Sequence, residues 1–252
     1  MRYLPFKASF VAIISVISYI MKRLVVIISF ISFIMGCAQD DYLAKRQQMV
    51  ETQLTSRDIN DAATLRAMRT VPRHLFVPEH ARPLAYNDYA LSIGHGQTIS
   101  QPYIVAYMTQ MLNLKPTDIV LEIGTGSGYQ AAVLAKIVDS VYTIEIVKEL
   151  TLSAKDLLSK LGYVNVNVKH GDGYHGWPSR APFDAIMVTA GADSIPQPLI
   201  DQLKVGGRMI IPVSSDDGGS RLVLVKKRKN NLVTRELLRV RFVPFTREKE
   251  KN

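Results

Sequence analysis

The segment at residues 119–137 constrains the fold more than any other. Ile119-Val120-Leu121-Glu122-Ile123 runs directly into Gly124-Thr125-Gly126-Ser127-Gly128, and Tyr129 opens an apolar stretch of helical period. Five mostly β-branched and aliphatic residues form a buried strand, and the glycines permit a sharp turn that side chains would obstruct. A second strand, Val141-Tyr142-Thr143-Ile144-Glu145-Ile146, follows the helix. Strand, glycine turn, helix and strand make the unit from which parallel sheets are assembled.

The same alternation continues. A helix is expected at 149–161, strands at 166–169 and 183–189, a short helix near 198–203, and strands at 208–212, 222–226 and 237–242. Upstream, Leu43, Gln47, Val50 and Leu54 recur at helical spacing, and Ile59, Ala62, Leu65 and Met68 resume it after Asp58. Pro72 and Pro78 end that run, residues 81–100 read as loop, and 103–112 as a further helix. The fold class is therefore α/β, a mostly parallel sheet with helices on both faces. The last two strands have no helix between them and form an antiparallel C-terminal edge.

Composition limits what is added to this domain. Of 252 residues, 47% are hydrophobic and 8% aromatic, with 15 Gly and 12 Pro, which excludes a disordered or collagen-like chain. One cysteine excludes an internal disulfide and a Cys-rich zinc site. The net charge of +9 resides at the ends: four basic and no acidic groups in residues 1–37, eleven basic and three acidic in 221–252. Residues 38–220 carry 16 basic and 19 acidic groups. The basic end, Lys226–Lys229 included, reads as a solvated strand and tail, so no specific nucleic-acid partner is expected.

Residues 1–37 lie outside the domain. Two apolar runs, 8–20 and 24–35, flank Met21-Lys22-Arg23. Each is shorter than the roughly 20 residues of a spanning helix, and burying Lys22 and Arg23 mid-membrane would cost about 2.5–3.5 kcal/mol each. Read from Met21, a short basic segment, an apolar run and Ile34-Met35-Gly36-Cys37 resemble a bacterial lipoprotein signal ending at a lipidated Cys37, although Met35 is unusual there. An uncleaved tether or a mis-assigned start are the other readings.

The chemistry gathers at strand ends. Gly124, Gly126 and Gly128 let the backbone approach a ligand, and Glu145, 19 residues after Gly126, can accept from ribose hydroxyls. A dinucleotide fits less well. Tyr129 stands where its third glycine would fall, and the Glu122 carboxylate would repel a pyrophosphate. S-adenosylmethionine has no phosphate and carries a sulfonium and an ammonium, which suits Glu122, Glu145 and Asp172 at three successive strand ends. An NAD-dependent oxidoreductase would also need a catalytic Lys, Tyr or His set, and none is evident.

Several segments then identify a family: residues 71–78 (VPRHLFVP), 96–102 (GQTISQP), 120–129 (VLEIGTGSGY), 171–173 (GDG), 181–186 (APFDAI) and 242–244 (FVP). Across about residues 43–246 the chain resembles the protein-L-isoaspartate O-methyltransferases, the 97–102 run being the most specific match. Ser92 stands where the family usually has proline. The resemblance implies a Rossmann-like methyltransferase domain at 38–252, with a helical and substrate-loop region (38–115) and a cofactor-binding sheet (116–252). It implies methyl transfer from S-adenosylmethionine to the α-carboxylate of L-isoaspartyl residues in damaged proteins and peptides. The methyl ester then closes to a succinimide, which hydrolyses in part to normal aspartate.

By the same resemblance Ser100 is the active-site residue, orienting the acceptor carboxylate, and Thr98 and Ile99 line its pocket. Glu122, Gly124, Gly126, Glu145, Asp172, Gly173 and Thr246 would bind the cofactor. A helix N-cap is the competing reading of Ser100. No metal is expected, since His170 and His175 have no third ligand nearby, and Asp216–Gly219 read as a hairpin turn. A monomer is expected. Cofactor supply points to activity in the cytoplasm, whereas Cys37 points to a membrane-anchored or exported lipoprotein. In the latter case the fold could persist as a non-catalytic binding module, although the intact acids and the 97–102 run argue for catalysis.

Overall fold

The computed structural model describes residues 41–215 and 219–248, with Ile20, Met21 and Arg23. The chain divides into two units, Met1–Lys45 and Arg46–Asn252. The described residues of the first unit are helical. The rest of the leader, Cys37 included, lies outside the described residues, as do Asp216, Asp217 and Gly218 of the expected turn. Among the described residues no helix is long and apolar enough to cross a membrane.

In the second unit a π-helical turn, Val50–Thr55, precedes the helix Ala62–Thr70, where the Asp61 side chain accepts from the Thr64 backbone N–H. Two short 3-10 turns follow the prolines, Arg73–Phe76 and Glu79–Leu84. The stretch expected as loop then forms an antiparallel hairpin, β1 (Leu91–Gly94) with β2 (Gln97–Ile99). Its tight turn uses positive φ at Gly94, His95 and Gly96. Helix Pro102–Leu112 leads from it to the main sheet.

That sheet contains β3 (Ile119–Ile123), β4 (Ser140–Glu145), β5 (Val166–His170), β6 (Phe183–Val188), β7 (Leu203–Ser215), β8 (Gly219–Lys227) and β9 (Leu232–Val240). Their spatial order is β5-β4-β3-β6-β7-β8-β9. Strands β3 to β7 are parallel, and β8 and β9 add the antiparallel edge. Strand β7 starts at Leu203, ahead of the expected 208. Gly206 (φ +89°) absorbs a bulge opposite Phe183–Ala185 instead of ending the strand. Leu121, Ile123, Ile144, Ile186, Val188 and Met209 form the buried centre.

The chain winds from β3 through helix Tyr129–Ala135 to β4, and through helix Lys148–Lys160 to β5. It then returns to the other side of β3 to lay down β6 and β7. Right-handed crossovers put the two sets of helices on opposite faces. The winding reverses between β3 and β6, so the connections leaving their carboxyl ends diverge and open a crevice there.

Candidate functional site

The glycine turn forms the floor of this crevice. Gly124 has φ +96°, and a Cβ there would lie 2.3 Å from Thr189 Oγ1. The Thr189 hydroxyl sits 2.9 Å from the Ile123 carbonyl and 2.8 Å from that of Gly124, tying the end of β6 to the turn. The Glu145 carboxylate closes the β4 side, accepting from the Gly126 N–H at 2.8 Å and the Val147 N–H at 2.9 Å. Both bonds come from the backbone, so its orientation is fixed while lone pairs remain for two hydroxyl donors.

The crevice opens to solvent and has Gly124, Gly126, Glu145, Gly173 and Thr246 in its lining. Five of the seven expected cofactor residues are thus brought together. Gly173 is there because its backbone packs on Ile123, where a Cβ would meet Cγ2 at 2.3 Å.

Glu122 and Asp172 stand apart from the lining. Glu122 is fully buried, with Oε2 accepting from Thr143 Oγ1 at 2.5 Å and Oε1 without a partner. Burial pushes its pKa up to about 8; the Thr143 bond opposes this and nearby Glu145 adds to it. At neutral pH Glu122 is therefore largely uncharged. It lies beneath the turn and outside the residues that line the crevice. Asp172 accepts from Tyr174 N–H at 2.9 Å and, through its other oxygen, from Arg247 Nε at 2.8 Å. Burial alone would raise its pKa, but hydrogen bonds from Arg247, Tyr174 and Glu248 hold it below the usual range.

A second crevice adjoins the first. Thr98, Thr189 and Val243 line both, and Ser100, Arg239 and Arg241 line the second alone. Ser100 does not cap the next helix: the cap position is Gln101, and no side chain bonds the free N–H groups there. The Ser100 carbonyl instead accepts from Arg73 Nη2 at 2.7 Å. Arg73 is fully buried, also donates to the Ala85 carbonyl at 2.7 Å, and lies 4.8 Å from the Tyr129 ring. Burial brings its pKa down to about 10, so it stays cationic. Gln101 Nε2 donates to the Asp88 carboxylate at 2.9 Å, and Asp88 pairs with Arg57. Thr98 faces the crevices, whereas Ile99, by the two-residue period of β2, turns inward and is 4% exposed.

Sequence reasoning did not single out Thr189, Val243 or Phe245 as site residues, although all three line the first crevice. The rule that ligands sit beyond strand carboxyl ends would have found Thr189, at the end of an expected strand. Val243 was marked only by the family segment 242–244, and Phe245 carries no such signal. Among the described residues no group of three His, Cys, Asp or Glu could hold a metal ion.

The family model for protein-L-isoaspartate(D-aspartate) O-methyltransferase matches residues 44–250. A protein-L-isoaspartate O-methyltransferase of Opitutus terrae is 61% identical over 205 residues, covering 81% of this chain and 88% of that protein. One from a Picosynechococcus species is 53% identical over 209 residues, covering 83% and 93%. A solved protein-L-isoaspartate O-methyltransferase superposes with TM-score 0.72 at 31% identity, covering 79% of this chain and 65% of that one. A Plasmodium falciparum structure in complex with S-adenosyl-L-homocysteine gives TM-score 0.71 at 28% identity, covering 81% and 99%.

Proposed function

The chain belongs to the protein-L-isoaspartate(D-aspartate) O-methyltransferase family, and we infer that its two adjoining crevices perform the methyl transfer that defines it. The donor is S-adenosylmethionine, and the acceptor is the α-carboxylate of an L-isoaspartyl residue in a protein or peptide. The observation that carries this reading is the wall common to both crevices, formed by Thr98, Thr189 and Val243. It sets a donor in the first within reach of an acceptor in the second.

S-adenosylmethionine supplies an electrophilic methyl group on a sulfonium. The crevice suits it: Glu145 can take both ribose hydroxyls, and the lack of a Cβ at Gly124 lets Thr189 close against the turn at the crevice floor. Gly126, Gly173 and Thr246 complete that role. Asp172 belongs to it from behind the lining, and Glu122 supports the turn from below. The acceptor needs no base, because an α-carboxyl group with a pKa near 3.5 is already ionised at pH 7. Its oxygen attacks the methyl carbon, the C–O bond forms as the C–S bond breaks, and the electron pair remains on sulfur. No proton moves. The work of the chain is alignment and exclusion of water.

Ser100 fits that work. Among the described residues its side chain makes no hydrogen bond, and it lines the acceptor crevice beside Thr98. Its hydroxyl can donate to the carboxylate and fix its direction. We further propose that residues 38–252 act as a monomer on the cytoplasmic side, where the donor is made. The 1–37 leader and Cys37 offer membrane attachment as the other arrangement, and membrane fractionation separates the two.

The test is transfer of labelled methyl from S-adenosylmethionine by the full chain to two peptides that differ only in isoaspartate against aspartate. Base-labile label in the isoaspartyl peptide alone is the expected result. Equal labelling, or none with the donor still bound, would assign a different acceptor.

A further inference from the structure

The C-terminal segment after β9 is tied down at two points. Near the end of β6, Gly191 N–H donates to the Val243 carbonyl at 2.9 Å, and Phe245 N–H donates to the Gly191 carbonyl at 2.8 Å. Beyond β5, Arg247 Nε and Glu248 N–H donate to one oxygen of Asp172, at 2.8 and 3.2 Å. Between these anchors Pro244, Phe245 and Thr246 line the donor crevice.

The sheet order β5-β4-β3-β6 puts β3 and β4 between the strands that carry the two anchors. Residues 244–246 line the crevice together with Gly124, Gly126 and Glu145, so the segment runs across it from the β6 side to the β5 side. The two anchors differ in kind. The β6 end is held by paired backbone hydrogen bonds, and the β5 end depends on one long side chain with one flanking amide. Arg247 is well placed for this. Its guanidinium carbon lies 3.6 Å from the Tyr174 ring centroid, and the carboxylate it holds is only 5% exposed.

We propose that Arg247 is the latch of a strap that retains the methyl donor: by pairing with Asp172 and stacking on Tyr174 it closes residues 243–248 over the crevice and slows release. The inference rests on the first crevice being the donor site. Arg247 is a positioning residue and takes no part in the transfer itself.

The test is stopped-flow release of S-adenosylhomocysteine from the full chain. An ion pair with one exposed partner, combined with cation–π stacking, corresponds to roughly threefold to tenfold in rate. Arg247→Ala is expected to speed release by that factor and to raise KM for S-adenosylmethionine without moving KM for the isoaspartyl peptide. Arg247→Lys restores the charge but not the planar stack, and should fall between. Asp172→Asn should have less effect in the Arg247→Ala background than in wild type. Unchanged or slower release from Arg247→Ala, or a rise in peptide KM alone, overturns the latch while leaving the donor site intact. Failure of the wild-type chain to bind S-adenosylhomocysteine overturns the donor site and the latch together.

Discussion

At the residue scale, each acid has its own environment. Glu145 is held by two backbone N–H groups and lines the crevice, and its place beside the glycine turn was legible from its spacing to Gly126. Glu145→Ala should weaken S-adenosylhomocysteine binding by about tenfold or more, from two lost charge-assisted hydrogen bonds, as calorimetry would measure. Glu122 is different, because burial is a property of tertiary packing that no spacing reveals. Its folded pKa of about 8 exceeds an unfolded value near 4.3, so the native state holds an extra proton between those values. The stability this provides is complete below the unfolded pKa and is lost as pH rises through 8. Glu122→Gln should therefore gain on wild type by at least about 1 kcal/mol between pH 5 and pH 9. Urea unfolding at several pH values checks it, and a constant difference would contradict it. Ser100→Ala should lower kcat/KM for the isoaspartyl peptide by about 10-fold to 100-fold, a lost hydrogen bond to a charged group, and leave S-adenosylhomocysteine affinity near wild type.

At the element scale, the strand–glycine–helix unit and the parallel order followed from period alone, but the β1–β2 hairpin did not. Its strands have four and three residues, too short for alternation to register, and a positive φ at His95 is not a usual turn signal. The hairpin matters because it delivers Thr98 and Ser100 to the second crevice. Arg73 holds the end of it through the Ser100 carbonyl, 27 residues away in sequence. Replacing this buried cation with Met leaves the Ala85 and Ser100 carbonyls without donors. A loss of roughly 2–4 kcal/mol in unfolding free energy is expected, together with a higher KM for the peptide. A drop in stability with unchanged peptide kinetics would show that Arg73 serves the core alone.

At the scale of the whole molecule, the family was readable from six short segments, whereas the way they meet was not. Asp172 and Arg247 are 75 residues apart, and a basic tail read as solvated contains the arginine that pairs with Asp172. Ligand binding at such a site stabilises the whole unit. At a hundred times Kd, S-adenosylhomocysteine should add about 2.7 kcal/mol, or roughly 5–10 °C in Tm for a domain of this size, and Arg247→Ala should reduce the shift at fixed concentration. The most direct measurement is a crystal structure of the full chain with S-adenosylhomocysteine and an isoaspartyl peptide. The expected structure has the nucleoside on Glu145, the α-carboxylate against Ser100, and the sulfur and carboxylate facing each other past Thr98, Thr189 and Val243. A peptide bound away from the second crevice, or a carboxylate turned from the sulfur, would contradict it.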